Sequence, residues 1–217
     1  MKLVFAADPM CSWCYGFAKE LEHALEALPP MALEIRMAGL WADGQQVLDA
    51  AGKRFRLSHW ARVEAAAGVP FNREGLMARE GFRYNSEPIS RAFVAGQHLA
   101  PDCPPLRLLR PLQQAFYVDG LDTTDEQVLA EVLARALRAQ GHAIAAGHAQ
   151  AALRLPEVQQ RVRQDFQQIR SWQLASFPKL LLLRDEHQAQ VLMDGFGNAE
   201  QIVAAVTECL PGGPGRA

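Results

Sequence analysis

The order of three short segments near the start of the chain limits its fold more than any other feature. Leu3-Val4-Phe5-Ala6-Ala7 is an unbroken apolar run, Cys11-Ser12-Trp13-Cys14 follows, and then Phe17, Leu21, Leu25 and Leu28 recur at helical spacing. The first reads as a strand buried on both faces, the last as one face of a helix. Pro29-Pro30 stops that helix, and Leu33, Ile35 and Met37 then alternate with Glu34 and Arg36 as in a half-exposed strand. Strand, helix and strand with short joints form a βαβ unit, so the two strands run parallel.

The last third of the chain has a second pattern. Val158, Val162, Phe166 and Ile169 mark a helix face, and Leu180 to Leu183 is another apolar run. A polar turn is expected over Arg184 to His187. After it Ala189, Val191 and Met193 alternate with Gln188 and Gln190 as a second half-exposed strand. Asn198, with Gln201 three residues on, caps a final helix that turns Ile202, Val203, Val206 and Leu210 inward. The tail Pro211 to Ala217 is rich in Gly and Pro and is expected to fray. Between the halves no convincing strand is found. Thr124-Asp125-Glu126-Gln127 reads as a capping box opening a helix, and 91–99 and 106–118 read as further helices. The chain is therefore expected to be an α/β domain (1–44 and 153–217) interrupted by an all-helical insertion (45–152).

Composition removes several functions. With 22 basic against 24 acidic residues there is no excess of positive charge for nucleic acid. No apolar run nears the roughly 18 residues that span a membrane. The five residues Leu3 to Ala7 fall short of the roughly 7–15 of a signal-peptide core, so a cytoplasmic protein is expected. In that reducing setting a Cys-x-x-Cys implies redox chemistry or metal rather than a structural disulfide. A structural zinc site wants four ligands, yet there is no second Cys-x-x-Cys and no His near the first, so no metal is assigned.

Position assigns roles to the pair. Cys11 falls at the helix start, where unpaired N–H groups and the helix dipole favour a thiolate; Cys14 lies three residues before Phe17, on the buried face. Cys11 should attack and Cys14 should resolve the mixed disulfide. Of the other cysteines, Cys209 is expected to be buried on the last helix, and Cys103, among prolines, to sit in an exposed loop. Trp13, Tyr15, Trp41 and Phe177 are candidates to line an apolar groove, with Trp13 exposed between the cysteines and Phe17 more probable as core. Glu87 is read as a helix cap.

The segment Asp8-Pro9-Met10-Cys11-Ser12-Trp13-Cys14-Tyr15-Gly16-Phe17 resembles the active-site segment of the DsbA family, and within it the cytoplasmic FrnE-like branch. Tyr84-Asn85-Ser86-Glu87-Pro88, Arg91-Ala92 and Gln114-Ala115-Phe116-Tyr117 resemble that branch more loosely. The resemblance implies a thioredoxin-like fold, its βαβ and ββα halves separated by helices. It also implies a thiol–disulfide oxidoreductase or isomerase without metal or organic cofactor. Its substrates would be polypeptide or small-molecule disulfides, and glutathione or a thioredoxin system would reset it as reductant. It implies that Pro178 is a cis-proline facing the cysteines, with Phe177 presenting its backbone to substrate and Ser12 and Trp13 tuning the pair. Relatives often carry a buried acid six residues before the first cysteine. Phe5 stands there in this chain, which leaves Asp8 or water to handle protons. Two alternatives stand beside this reading: a glutathione-dependent isomerase or transferase of the related kappa-type branch, and a chaperone-like polypeptide binder.

Overall fold

The computed structural model describes residues 1–42, 44–184 and 189–210. The expected polar turn lies largely outside these residues, and the tail after Leu210 lies wholly outside them.

The sheet forms around the first apolar run. Strand β1 (Lys2–Ala7) pairs in parallel with β2 (Leu33–Met37), from Leu3 opposite Leu33 to Ala7 opposite Met37. On its other edge β1 runs antiparallel to β3 (Lys179–Leu183), which pairs with β4 (Ala189–Asp194), so the strand order is β2-β1-β3-β4. Because successive side chains point to opposite faces, β1 serves two cores. Leu3, Phe5 and Ala7 join the core under α1 (Ser12–Ala27) and α9 (Ala199–Cys209). Val4 and Ala6 join a smaller core with Leu181, Leu183 and Ile169. Ile169 belongs to α8 (Pro156–Ser171), which covers that second face. Phe5, in the position where relatives often carry an acid, is fully buried with its ring 5.2 Å from that of Phe17.

Between β2 and α8 lie α2 (Ala50–Ala67), α3 (Arg73–Ala78), α4 (Glu87–Leu99), α5 (Pro105–Tyr117), α6 (Glu126–Ala139) and α7 (Ala146–Leu153). The chain thus has the thioredoxin-like α/β architecture with helices inserted between its halves. Its helical part docks on α1 through aromatic rings. Tyr15 stacks on Tyr117 at 4.8 Å, and Trp60 stacks on Phe71 at 5.0 Å. Gly16 lets α2 come close, since a Cβ there would lie 2.9 Å from Val63 Cγ1 and 3.0 Å from Ala67 Cβ.

Several local expectations need correction. The cap of α6 is Asp125, which accepts from the amides of Gln127 and Val128; Thr124 instead bonds back to Asp122. A single carboxylate oxygen of Asp125, at the true cap position, takes both free amides. Glu87 does not cap α4. Asn85 accepts from the Glu87 amide, and Glu87 pairs with Arg91 one turn on. The alternation of β4 fails at an irregularity. Leu180 faces Met193 while Leu181 faces Val191, leaving Val191 45% exposed and turning Leu192 and Met193 partly inward. Helix α2 escaped the periodicity reading because its apolar residues are not gathered on one stripe. It buries Trp60, Val63 and Ala67, but also Lys53, whose ammonium donates to the Met77 and Arg79 carbonyls.

Candidate active site

Cys11 occupies the N-cap of α1 in an extended conformation, and no side chain caps that helix end. The first-turn amides are therefore left without a side-chain acceptor beside Cys11. Cys11 is half-buried, and its Sγ lies 3.8 Å from the carbonyl oxygen of Phe177, a contact spanning most of the chain. The Phe177–Pro178 peptide is cis. Pro178 is buried and accepts from the Gly195 amide, which ties this joint to the end of β4.

Cys14, one turn along, is fully buried. Burial pushes its thiol well above the ordinary thiol range, and the Cys11 sulfur beside it adds to the rise. Both effects favour the protonated form of Cys14.

Asp8 lies on the turn that presents the pair. It is fully buried, accepts from the Met10 amide at 2.8 Å and from Ser86 Oγ at 2.6 Å, and its own carbonyl accepts from the Cys11 amide. Burial raises its carboxyl above the usual carboxylate range, while the bonds from Ser86 and Met10 hold the rise back. Ser86 belongs to the helical insertion and was not foreseen as a site residue. Nor was Tyr84, whose hydroxyl donates to the Met10 carbonyl at 2.5 Å. The stretch 84–88 was noticed only as a resemblance, because nothing in its spacing shows that it folds back onto residues 8–10.

A cleft of about 250 Å³ opens beside Cys11. Trp13, Trp41 and Phe177 line it as expected of groove residues, together with Ser12, Phe55, Arg56, His59, Trp60 and Tyr84. Trp13 is half-buried rather than exposed, because its ring packs on Phe196 at 5.7 Å. Tyr15 does not reach the cleft and is buried in the aromatic cluster. The remaining cysteines stand apart. Cys103 is buried rather than exposed, tucked under the turn into α5, and Cys209 is half-buried rather than buried, accepting from Gln190. Among the described residues, no three His, Cys, Asp or Glu side chains are grouped to hold a metal ion, and no helix is long and apolar enough to cross a membrane.

This sheet order, with a Cys-x-x-Cys opening the first helix, defines the class of thioredoxin-fold disulfide oxidoreductases. Comparison with solved structures finds DsbA-like proteins of that class similar to this chain. A candidate protein disulfide isomerase from Nitrosomonas europaea is 26% identical and superposes with a TM-score of 0.78, over 95% of this chain and 96% of its own. The cytosolic disulfide reductase DsbM from Pseudomonas aeruginosa is 24% identical, with a TM-score of 0.71 over 89% of each chain. The same DsbM solved with GSH matches equally, at 24% identity and a TM-score of 0.71 over 89% of this chain and 90% of that one. No protein-family model and no curated protein matches the chain.

Proposed function

We propose that this protein exchanges disulfides through Cys11 as nucleophile and Cys14 as resolving thiol. The carrying observation is the contrast within the pair: Cys11 opens onto the cleft at an uncapped helix start, whereas Cys14 is sealed behind it. In the reductive direction the Cys11 thiolate attacks one sulfur of a substrate disulfide, and the first substrate thiolate leaves with the bonding electrons. Cys14 then gives up its proton and attacks the Cys11 sulfur. The second thiol leaves, and the enzyme holds a Cys11–Cys14 disulfide. Two electrons have passed to the substrate, so no metal or organic cofactor is required, but a thiol reductant must restore the pair.

Asp8 is assigned the proton handling. It is the buried acid on the turn beside Cys14, and its raised carboxyl suits a group that takes up and returns a proton. Ser12 and Trp13 shape the rim. The Phe177 backbone, already in contact with Cys11 Sγ, is the natural partner for an extended substrate. Reduction or isomerisation in the cytoplasm, within a FrnE-like branch, is the setting this reading favours. DsbM is a cytosolic reductase, and its structure with GSH supports glutathione as reductant here. A kappa-type glutathione isomerase or transferase would use a hydroxyl where Cys11 stands, and the intact pair speaks against it. The test is to mix each cysteine variant with a disulfide probe. Cys14→Ser should accumulate a mixed disulfide on Cys11, visible by mass, and Cys11→Ser should lose turnover at least a hundredfold. Full turnover by Cys11→Ser would sink the reading in favour of a polypeptide binder.

A further inference from the structure

The cleft beside Cys11 contains one fixed cation and, among the described residues, no acid to balance it. That cation is Arg56, on α2. Its guanidinium carbon lies 3.7 Å from the ring centre of Tyr84 and 4.5 Å from that of Trp41. Its Nε is buried without a hydrogen-bond partner. The Tyr84 hydroxyl in turn donates to the Met10 carbonyl, the peptide that leads into Cys11. A guanidinium held against aromatic faces loses its freedom to swing away, and among the described residues no acceptor takes the donors along its edge. A planar fork with free donors matches a carboxylate in two-point contact. His59 also lines the cleft, and burial and the neighbouring Arg62 and Arg56 charges keep its ring below the usual histidine range, so it is neutral at neutral pH.

We propose that Arg56 is the anion anchor of this cleft and that the preferred substrates are small disulfides bearing a carboxylate close to the scissile bond. The surrounding rings of Trp41, Phe55 and Trp60 would cover the apolar part of such a molecule while Arg56 holds its charge. This rests on the reading of Cys11 as the attacking thiol.

The test uses two chromogenic disulfides of similar shape, the dianionic dithiobis(nitrobenzoate) and the uncharged dithiodipyridine. The full chain carries Cys103→Ala and Cys209→Ala, so that only the active pair reacts. In a single turnover the reduced pair loses two protons and two electrons, the probe S–S bond breaks, and two aryl thiols are released as the Cys11–Cys14 disulfide forms. Arg56→Met should slow the anionic probe about tenfold while leaving the uncharged one within about twofold, as the loss of a charge-assisted pair predicts. Arg56→Lys should retain part of the preference. Arg54→Met, an exposed position on the same helix, controls for overall charge and should change neither rate. An unchanged ratio of the two rates in Arg56→Met overturns the proposal. So does an equal fall with both probes, which would make Arg56 a support for the cleft or for the thiol itself. An equal slowing of the anionic probe by Arg54→Met overturns it as well. If the folded parent protein reacts with neither probe, the disulfide-exchange reading fails first and takes this inference with it.

Discussion

Cys11 and Cys14 are the same residue type one helical turn apart, and their chemistry differs because water reaches one and not the other. With the Cys14 thiol held well above the ordinary range by burial, iodoacetamide at pH 7 should modify Cys11 and leave Cys14 intact in the folded protein, as peptide mapping would read. Raising the pH should bring Cys14 into reaction, provided the fold holds. Asp8 gives a prediction of opposite kind. Its folded carboxyl keeps a proton to higher pH than the unfolded chain does, so stability is lost as pH rises from about 4 through the folded value. Asp8→Asn removes that loss. Relative to the parent, the variant should gain about 1.4 kcal/mol between pH 4 and pH 7 for each pKa unit that burial adds. Urea midpoints at the two pH values would measure this, and the same variant should resolve its mixed disulfide more slowly. These environments could not be read from sequence. Asp8 was singled out because an acid was missing at Phe5, but its burial and its bond to Ser86 depend on a segment almost eighty residues away.

At the scale of elements, the parts that were legible are those whose signal is local. The run Leu3 to Ala7, the stripe from Phe17 to Leu28 and the Asn198–Gln201 box each need only their neighbours, and β1, α1 and the cap of α9 formed where expected. Asn198→Ala should therefore cost about 1 kcal/mol, readable as a lower urea midpoint with an unchanged slope. Helix α2 was illegible because its burial is set by what lands on it. Lys53 is buried there because two carbonyls receive its charge, and Trp60 because Phe71 and Tyr117 cover it. The crossing of α1 and α2 depends on Gly16. Gly16→Ala gains about 1 kcal/mol in helix propensity but forces Val63 and Ala67 apart, so the net effect should be a loss of up to about 2 kcal/mol. Because α2 carries Arg56 and Trp60, the cleft should widen too, and thiol release from the two disulfide probes would report it.

The whole molecule is held together by long-range contacts between its halves and the insertion. Asp165 of α8 is fully buried; it pairs with Arg36 of β2 and Arg161, and accepts from the Met37 amide. Asp165→Ala leaves the buried Met37 amide without its acceptor and Arg36 and Arg161 with Glu34 alone, so it should destabilise by about 1–3 kcal/mol in urea unfolding. The candidate site is likewise shared. The pair and Phe177 come from the α/β part, while Arg56, Trp60, Tyr84 and Ser86 come from the insertion. Legible in the sequence were the sheet, the first helix, a helical stretch between the two α/β halves and a Cys-x-x-Cys at the helix start. Each follows from spacing along a short stretch of chain. Packing alone seals Asp8 with Ser86, brings Phe177 to Cys11, and sets an arginine from α2 in the same aromatic cleft as the thiol. These arise when residues distant in sequence exclude water together, and water exclusion is a property of the packed molecule rather than of any segment.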